Sequence, residues 1–109
     1  MAFDEGLAQR VRALLDGRSD VADKQMFGGI AFLIAGNMAC GVSGDELIVR
    51  VDRQESEALL GEPGARRFDM TGRPMKGWLL VAPEATADDG DLERWVRRGE
   101  GFAASLPPK

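Results

Sequence analysis

Apolar and polar positions follow two different periods along the chain. Phe3, Leu7, Val11, Leu14 and Leu15 recur every three to four residues, with Glu5, Gln9, Arg10 and Arg12 between them. That spacing predicts an amphipathic helix. Gly17 is placed to stop it, with Arg18 near its negative end. From Lys24 onward the period shortens. Gly29–Ile34 is short, apolar and partly β-branched, Ala35-Gly36-Asn37 is a turn signal served by Asn37, and residues 38–42 form a second apolar run. After Ser43-Gly44-Asp45, Leu47, Val49 and Val51 alternate with Ile48, Arg50 and Asp52. This is the pattern of a half-buried strand. A short strand at 24–27 is expected before these three.

Residues 53–60 read as a short helix with Glu55 and Glu57 toward its positive end, stopped by Gly61 and Pro63. Residues 65–70 suit an exposed strand, 72–77 a loop, and 78–82 a buried strand ended by Pro83. In the last segment Leu92, Trp95, Val96, Phe102 and Leu106 share one helical face. Asp88, Asp89 and Asp91 lie where a helix dipole favours negative charge, and Pro107-Pro108 closes the helix. The order α-β(3–4)-α-β(2)-α predicts an α+β fold in two layers, an antiparallel sheet with helices packed on one face. No repeat or linker divides the chain, so residues 1–109 read as one domain.

Composition narrows the chemistry. The chain has 44% hydrophobic and 29% charged residues, an ordinary globular balance. No apolar run approaches the roughly 20 residues that span a bilayer. The start, Met1-Ala2-Phe3-Asp4-Glu5, lacks the basic and apolar stretches of a signal peptide. With Cys40 as the single cysteine, the expected location is the cytoplasm, with no membrane partner. Histidine and tyrosine are absent. This removes the commonest general base and transition-metal ligand and any Ser-His-Asp or Cys-His arrangement. No metal or cofactor is expected. The net charge of −4 argues against broad nucleic-acid binding.

Two glycine-bracketed segments stand apart from this plain background: Lys24-Gln25-Met26-Phe27-Gly28-Gly29 and Gly72-Arg73-Pro74-Met75-Lys76-Gly77. The first is either a bend between strands or a place where a ligand or partner backbone approaches closely, with Lys24 supplying charge. It has neither the Gly-x-Gly-x-x-Gly spacing nor a P-loop ending. The second lies in a stretch, 61–77, with four cations (Arg66, Arg67, Arg73, Lys76) against two acids (Glu62, Asp69). It reads as a solvated loop with Arg73 paired to a carboxylate, or as an anion-recognition loop for a phosphate or an acidic protein surface. Met26, Met38, Met70 and Met75 fill the core or form an adaptable contact surface. Cys40, on an apolar strand, reads as an inert thiol. The run from Asp88 to Asp91 reads as a helix cap rather than a calcium loop.

Taken together, several segments give a specific likeness: Lys24 with Met26-Phe27-Gly28-Gly29, then Asn37-Met38-Ala39-Cys40-Gly41-Val42, Leu47-Ile48-Val49-Arg50-Val51, Gly72-Arg73-Pro74-Met75-Lys76-Gly77-Trp78, and the ending Ser105-Leu106-Pro107-Pro108-Lys109. In these the chain resembles the N-terminal domain of the TfoX/Sxy family, bacterial proteins linked to regulation of natural competence. The resemblance implies a two-layer α+β domain of secretion-chaperone-like architecture and no known enzyme activity or cofactor. Family members that act as competence regulators carry a second, C-terminal helical domain. None follows before Lys109, so a stand-alone first domain is expected here. The leading expectation is a non-enzymatic regulatory adaptor acting through protein contacts. Its candidate surface is Lys24, Met26, Phe27, Gly28, Gly29, Arg50, Gly72, Arg73, Pro74, Met75, Lys76 and Gly77, provided the two glycine segments meet. A homodimer through an exposed strand edge is a further expectation. The alternatives are a nucleic-acid-binding transcription accessory using the basic loop 66–77, and an anion sensor or enzyme using Lys76, Asp69 or Glu84.

Overall fold

Tight reversals set the register of the first four strands. In the computed structural model, which describes residues 3–26, 28–69 and 74–108, β1 (Val21–Met26), β2 (Gly29–Ile34), β3 (Asn37–Ser43) and β4 (Glu46–Arg50) form a continuous meander. The β2–β3 reversal is a two-residue loop in which Ala35 and Gly36 both have positive φ, 51° and 88°. Such a turn matches the right-handed twist of the strands it joins. Asn37 therefore does not serve the turn, as its sequence position suggests. It is the first residue of β3, it is buried, and its side-chain amide donates to the Pro107 carbonyl at 2.9 Å, tying the sheet to the C-terminal segment.

After α2 (Arg53–Leu59), β5 (Ala65–Asp69) forms the far edge and β6 (Pro74–Val81) inserts beside β4. The result is a six-stranded antiparallel sheet in the order β1-β2-β3-β4-β6-β5. Two strands differ from the sequence expectation. β1 starts at Val21 because Val21, Ala22 and Asp23 pair with Ile34, Leu33 and Phe32. β6 starts at Pro74, so Pro74, Met75, Lys76 and Gly77 belong to a strand and not to a loop. They pair with β5 through Asp69↔Pro74 and Phe68↔Met75, across a register shift that the left-handed backbone of Gly77 (φ 85°) accommodates.

All three helices cover one face. α1 (Glu5–Leu15) starts at Asp4, whose carboxylate accepts from the Leu7 N–H at 3.1 Å. α3 (Asp89–Ala104) starts at Asp88, which accepts from the Gly90 and Asp91 N–H groups, as the acidic run predicts. Arg10 bonds the Thr86 carbonyl at 2.8 Å and Asp89 at 3.0 Å, joining α1 to the start of α3. The core interleaves Leu7, Val11 and Leu15 of α1 and Leu92, Trp95 and Val96 of α3 with Phe32, Cys40, Val42, Leu47, Val49, Leu79 and Val81 of the sheet. Each fully buried large side chain contributes about 1.5–3 kcal/mol. No helix among the described residues is long and apolar enough to cross a membrane.

Candidate functional site

With the helices on one face, the other face of the sheet is what remains. Residues directly opposite in paired strands point the same way, so the register defines a row across all six strands: Lys24, Ala31, Gly41, Ile48, Leu80 and Arg66. Cations stand at both ends, with only apolar or small residues between them. Leu33 and Met38 pair beside the row, and Arg50 pairs with Trp78 one step along β4 and β6. Ala31, Gly41 and Ile48 are themselves buried, whereas Leu33, Met38, Leu80 and Trp78 are half-buried. At the centre, a Cβ on Gly41 would lie 2.6 Å from the Ile30 carbonyl oxygen and 3.0 Å from the Met38 Cε. The Met38 thioether thus reaches over the strand where only glycine fits. The core shared with the helices draws on the alternate strand positions Phe32, Cys40, Val42, Leu47, Val49, Leu79 and Val81.

The described parts of the two glycine segments do not meet. Lys24 is exposed on the edge strand β1, and Gly28 turns the β1–β2 hairpin with φ 76°. Gly29 is required by packing, since a Cβ there would lie 2.4 Å from the Val42 carbonyl oxygen. Met26 pairs with Gly29 through the backbone. The hairpin lies beside Ser43 and Glu46, at one end of the sheet. Gly77 lies at the opposite end, beyond the Arg50↔Trp78 pair, and three strands separate β1 from β6. At about 4.8 Å per strand the lateral separation alone is about 19 Å. Gly77 is buried, its carbonyl accepts from the Val51 N–H at 2.8 Å, and a Cβ would meet the Val51 oxygen at 3.0 Å. Its role is backbone geometry. Lys76 is exposed. Phe27, Gly72 and Arg73 lie outside the described residues, as does Met70, and Pro74 and Met75 are placed by their backbone pairing with Asp69 and Phe68.

Of the expected residues, Arg50 has the most distinctive surroundings. Its guanidinium carbon lies 5.2 Å from the Trp78 ring centre and 5.3 Å from that of Phe102. Phe68 meets Trp78 edge-on, with ring centres 6.4 Å apart. This aromatic corner is not legible in the sequence, because Phe102 reads as one more core position on α3 and Trp78 as a buried strand residue. The Arg50–Trp78 spacing becomes visible only through β4–β6 pairing. Next to it, a groove of about 450 Å³ between α2 and α3 is lined by Asp52, Gln54, Glu55, Arg98, Phe102 and Ser105, among others.

The arginines of the stretch 61–77 that the structure describes are occupied. Arg66 is held by Glu46 and Arg67 by Glu57. Glu62 takes Arg98 at 2.6 Å and Arg94 at 3.2 Å. Hydrogen bonding from Arg98, then from Arg94, holds its carboxyl below the usual range against the opposing effect of burial. Burial pushes the Cys40 thiol up to about 12, which keeps it protonated and inert. Among the described residues no three His, Cys, Asp or Glu side chains converge as a metal site would require.

The family model described as the TfoX N-terminal domain matches residues 13–103. No curated protein and no solved structure gives a significant match.

Proposed function

From membership of the TfoX N-terminal domain family, to which this chain belongs, we propose that it is a non-enzymatic regulatory adaptor acting through protein contacts at the helix-free face of its sheet. The observation that carries this reading is the half-buried apolar group Leu33, Met38 and Leu80 on the helix-free face, seated on the buried Ala31, Gly41 and Ile48. Partly exposed apolar side chains with the exposed cations Lys24 and Arg66 at their rim have the composition of a protein-docking surface. The nucleic-acid reading draws less support, because Arg66 and Arg67 already hold carboxylates and the whole chain is acidic. A second copy also suits the β1 edge poorly. Twofold antiparallel pairing centred on the middle of β1 opposes Asp23 to Asp23 or Lys24 to Lys24, and like charges directly opposite are destabilising.

The test is site-specific photocrosslinking in the native host. A photoreactive residue at Met38 is expected to trap discrete protein adducts that survive nuclease, while the same residue at exposed Glu93 on α3 traps none. Adducts lost to nuclease, or no adduct from Met38, contradict the proposal.

A further inference from the structure

Four of the five half-buried arginines described hold a carboxylate: Arg10 with Asp89 at 3.0 Å, Arg12 with Asp23 at 3.0 Å, Arg18 with Asp20 at 2.9 Å, and Arg98 with Glu62 at 2.6 Å. Arg50 is the fifth. Among the side chains the structure describes no carboxylate lies within ion-pair range of it, and its neighbours are the faces of Trp78 and Phe102. Ring faces compensate a cation only in part, and they offer none of the hydrogen-bond acceptors that a guanidinium's five N–H donors seek. A half-buried guanidinium held between rings is therefore oriented and partly desolvated, with N–H groups still open to an incoming acceptor. That combination strengthens binding of an incoming oxyanion, because the side chain is already ordered and screened from water.

We infer that the Arg50–Trp78–Phe102 corner is a carboxylate-binding site that takes an acidic side chain, flanked by apolar residues, from a partner polypeptide. This rests on the adaptor reading above and names the chemistry of the partner. Arg50 supplies a forked pair of donors, while Trp78, Phe68 and Phe102 form apolar walls for the residues on either side of the acid. The adjoining groove carries Asp52 and Glu55. Acids so close to the site disfavour a chain of phosphates and tolerate a single carboxylate between apolar neighbours. A single anion anchored in an aromatic pocket beside an apolar sheet face also sets register for a docking segment, which an apolar face alone does not.

The test titrates the isotope-labelled full chain with the capped tripeptide acetyl-Leu-Glu-Phe-amide and with its glutamine twin, following the Arg50 Nε–H and Trp78 indole N–H resonances. The expected result is saturable movement of both resonances, with a dissociation constant on the order of 1 mM. The glutamine twin should bind at least about tenfold more weakly, as loss of a charge-assisted hydrogen bond requires. Arg50→Lys, with the rest of its spectrum unchanged, should weaken the glutamate peptide several-fold because an ammonium cannot form the fork. Equal binding of the two peptides, or indifference to Arg50→Lys, overturns the inference. So does tighter titration of the same resonances by inorganic phosphate or a short DNA duplex. Peptide shifts confined to Leu33 and Met38 overturn the corner and leave the adaptor reading standing. That reading has its own test at Met38, which does not involve Arg50.

Discussion

Gly99 on α3 gives the sharpest stability prediction, because it marks the closest approach of helix to sheet. A Cβ at Gly99 would lie 2.2 Å from the Ala39 carbonyl oxygen and 3.5 Å from the Val49 Cγ1. A relaxed carbon–oxygen contact is about 3.3 Å, so Gly99→Ala demands that helix and strand part by about 1.1 Å. Neither can move alone. α3 also seats Trp95, Val96 and Ala103 in the core, and β3 is hydrogen-bonded on both sides. Overpacking costs about 1–3 kcal/mol. Because the obstacle is backbone, the upper end applies. Replacing a helical glycine by alanine returns up to about 1 kcal/mol. The net loss expected is about 2 kcal/mol, or about 10 °C in Tm for a domain of this size. Gly101 is the internal control. It is one half-turn away on the same helix, exposed, with nothing within 4 Å of a Cβ. Gly101→Ala should therefore gain about 0.5 kcal/mol. Urea and thermal unfolding followed by circular dichroism measure both. A Gly99→Ala chain as stable as the parent would refute the packing account of α3.

Three further outcomes follow from the same coordinates. Gly77→Ala combines a left-handed backbone (φ 85°) with a 3.0 Å contact to the Val51 oxygen, so a loss of about 1–3 kcal/mol in urea unfolding is expected; a loss within error of zero would show that β6 does not need the bulge. Glu62 titrates below the usual carboxylate range when folded, so the unfolded chain binds its proton first as pH falls. Its contribution is complete above the ordinary value of about 4.3 and vanishes as pH drops through the depressed one. Stability measured from neutral to acid pH should fall less steeply in Glu62→Gln than in the parent, and identical slopes would count against the Arg94–Glu62–Arg98 cluster. Cys40, fully buried with its thiol pushed up to about 12, should react with a thiol reagent at neutral pH only as fast as the chain unfolds. Rapid labelling of the native protein would contradict its burial.

The fold was largely legible in the pattern of residues, and the arrangement of the site was not. Alternation at Leu47, Val49 and Val51 and the helical spacing of Leu92, Trp95 and Val96 identify elements directly, because each reports burial against one neighbouring layer. β1 was only half legible. As an edge strand it pairs on one side, and Ala22, Asp23, Lys24 and Gln25 are exposed, so no apolar alternation marks its start at Val21. The separation of the two glycine segments depends on β6 passing β5 to pair with β4, a non-local choice that no short window encodes. Glycines also conceal their reasons. Gly29, Gly41, Gly77 and Gly99 are each required by a close backbone approach, and the sequence drew two of them into a binding motif while passing over Gly99. Arg50 was found as a cation beside apolar strands, but its significance comes from Trp78 and Phe102, which reach it from a neighbouring strand and from a helix far away in sequence.

The most direct test of docking at the helix-free sheet face is the amide spectrum of the labelled chain in extract of the native host, recorded untreated, after nuclease and after protease. The expected result is loss of intensity at Ala31, Leu33, Met38, Ile48 and Leu80, unaffected by nuclease and reversed by protease, with the exposed sides of α1 and α3 unchanged. Intensity loss that nuclease reverses, or that falls on the helices and spares these strands, would contradict it.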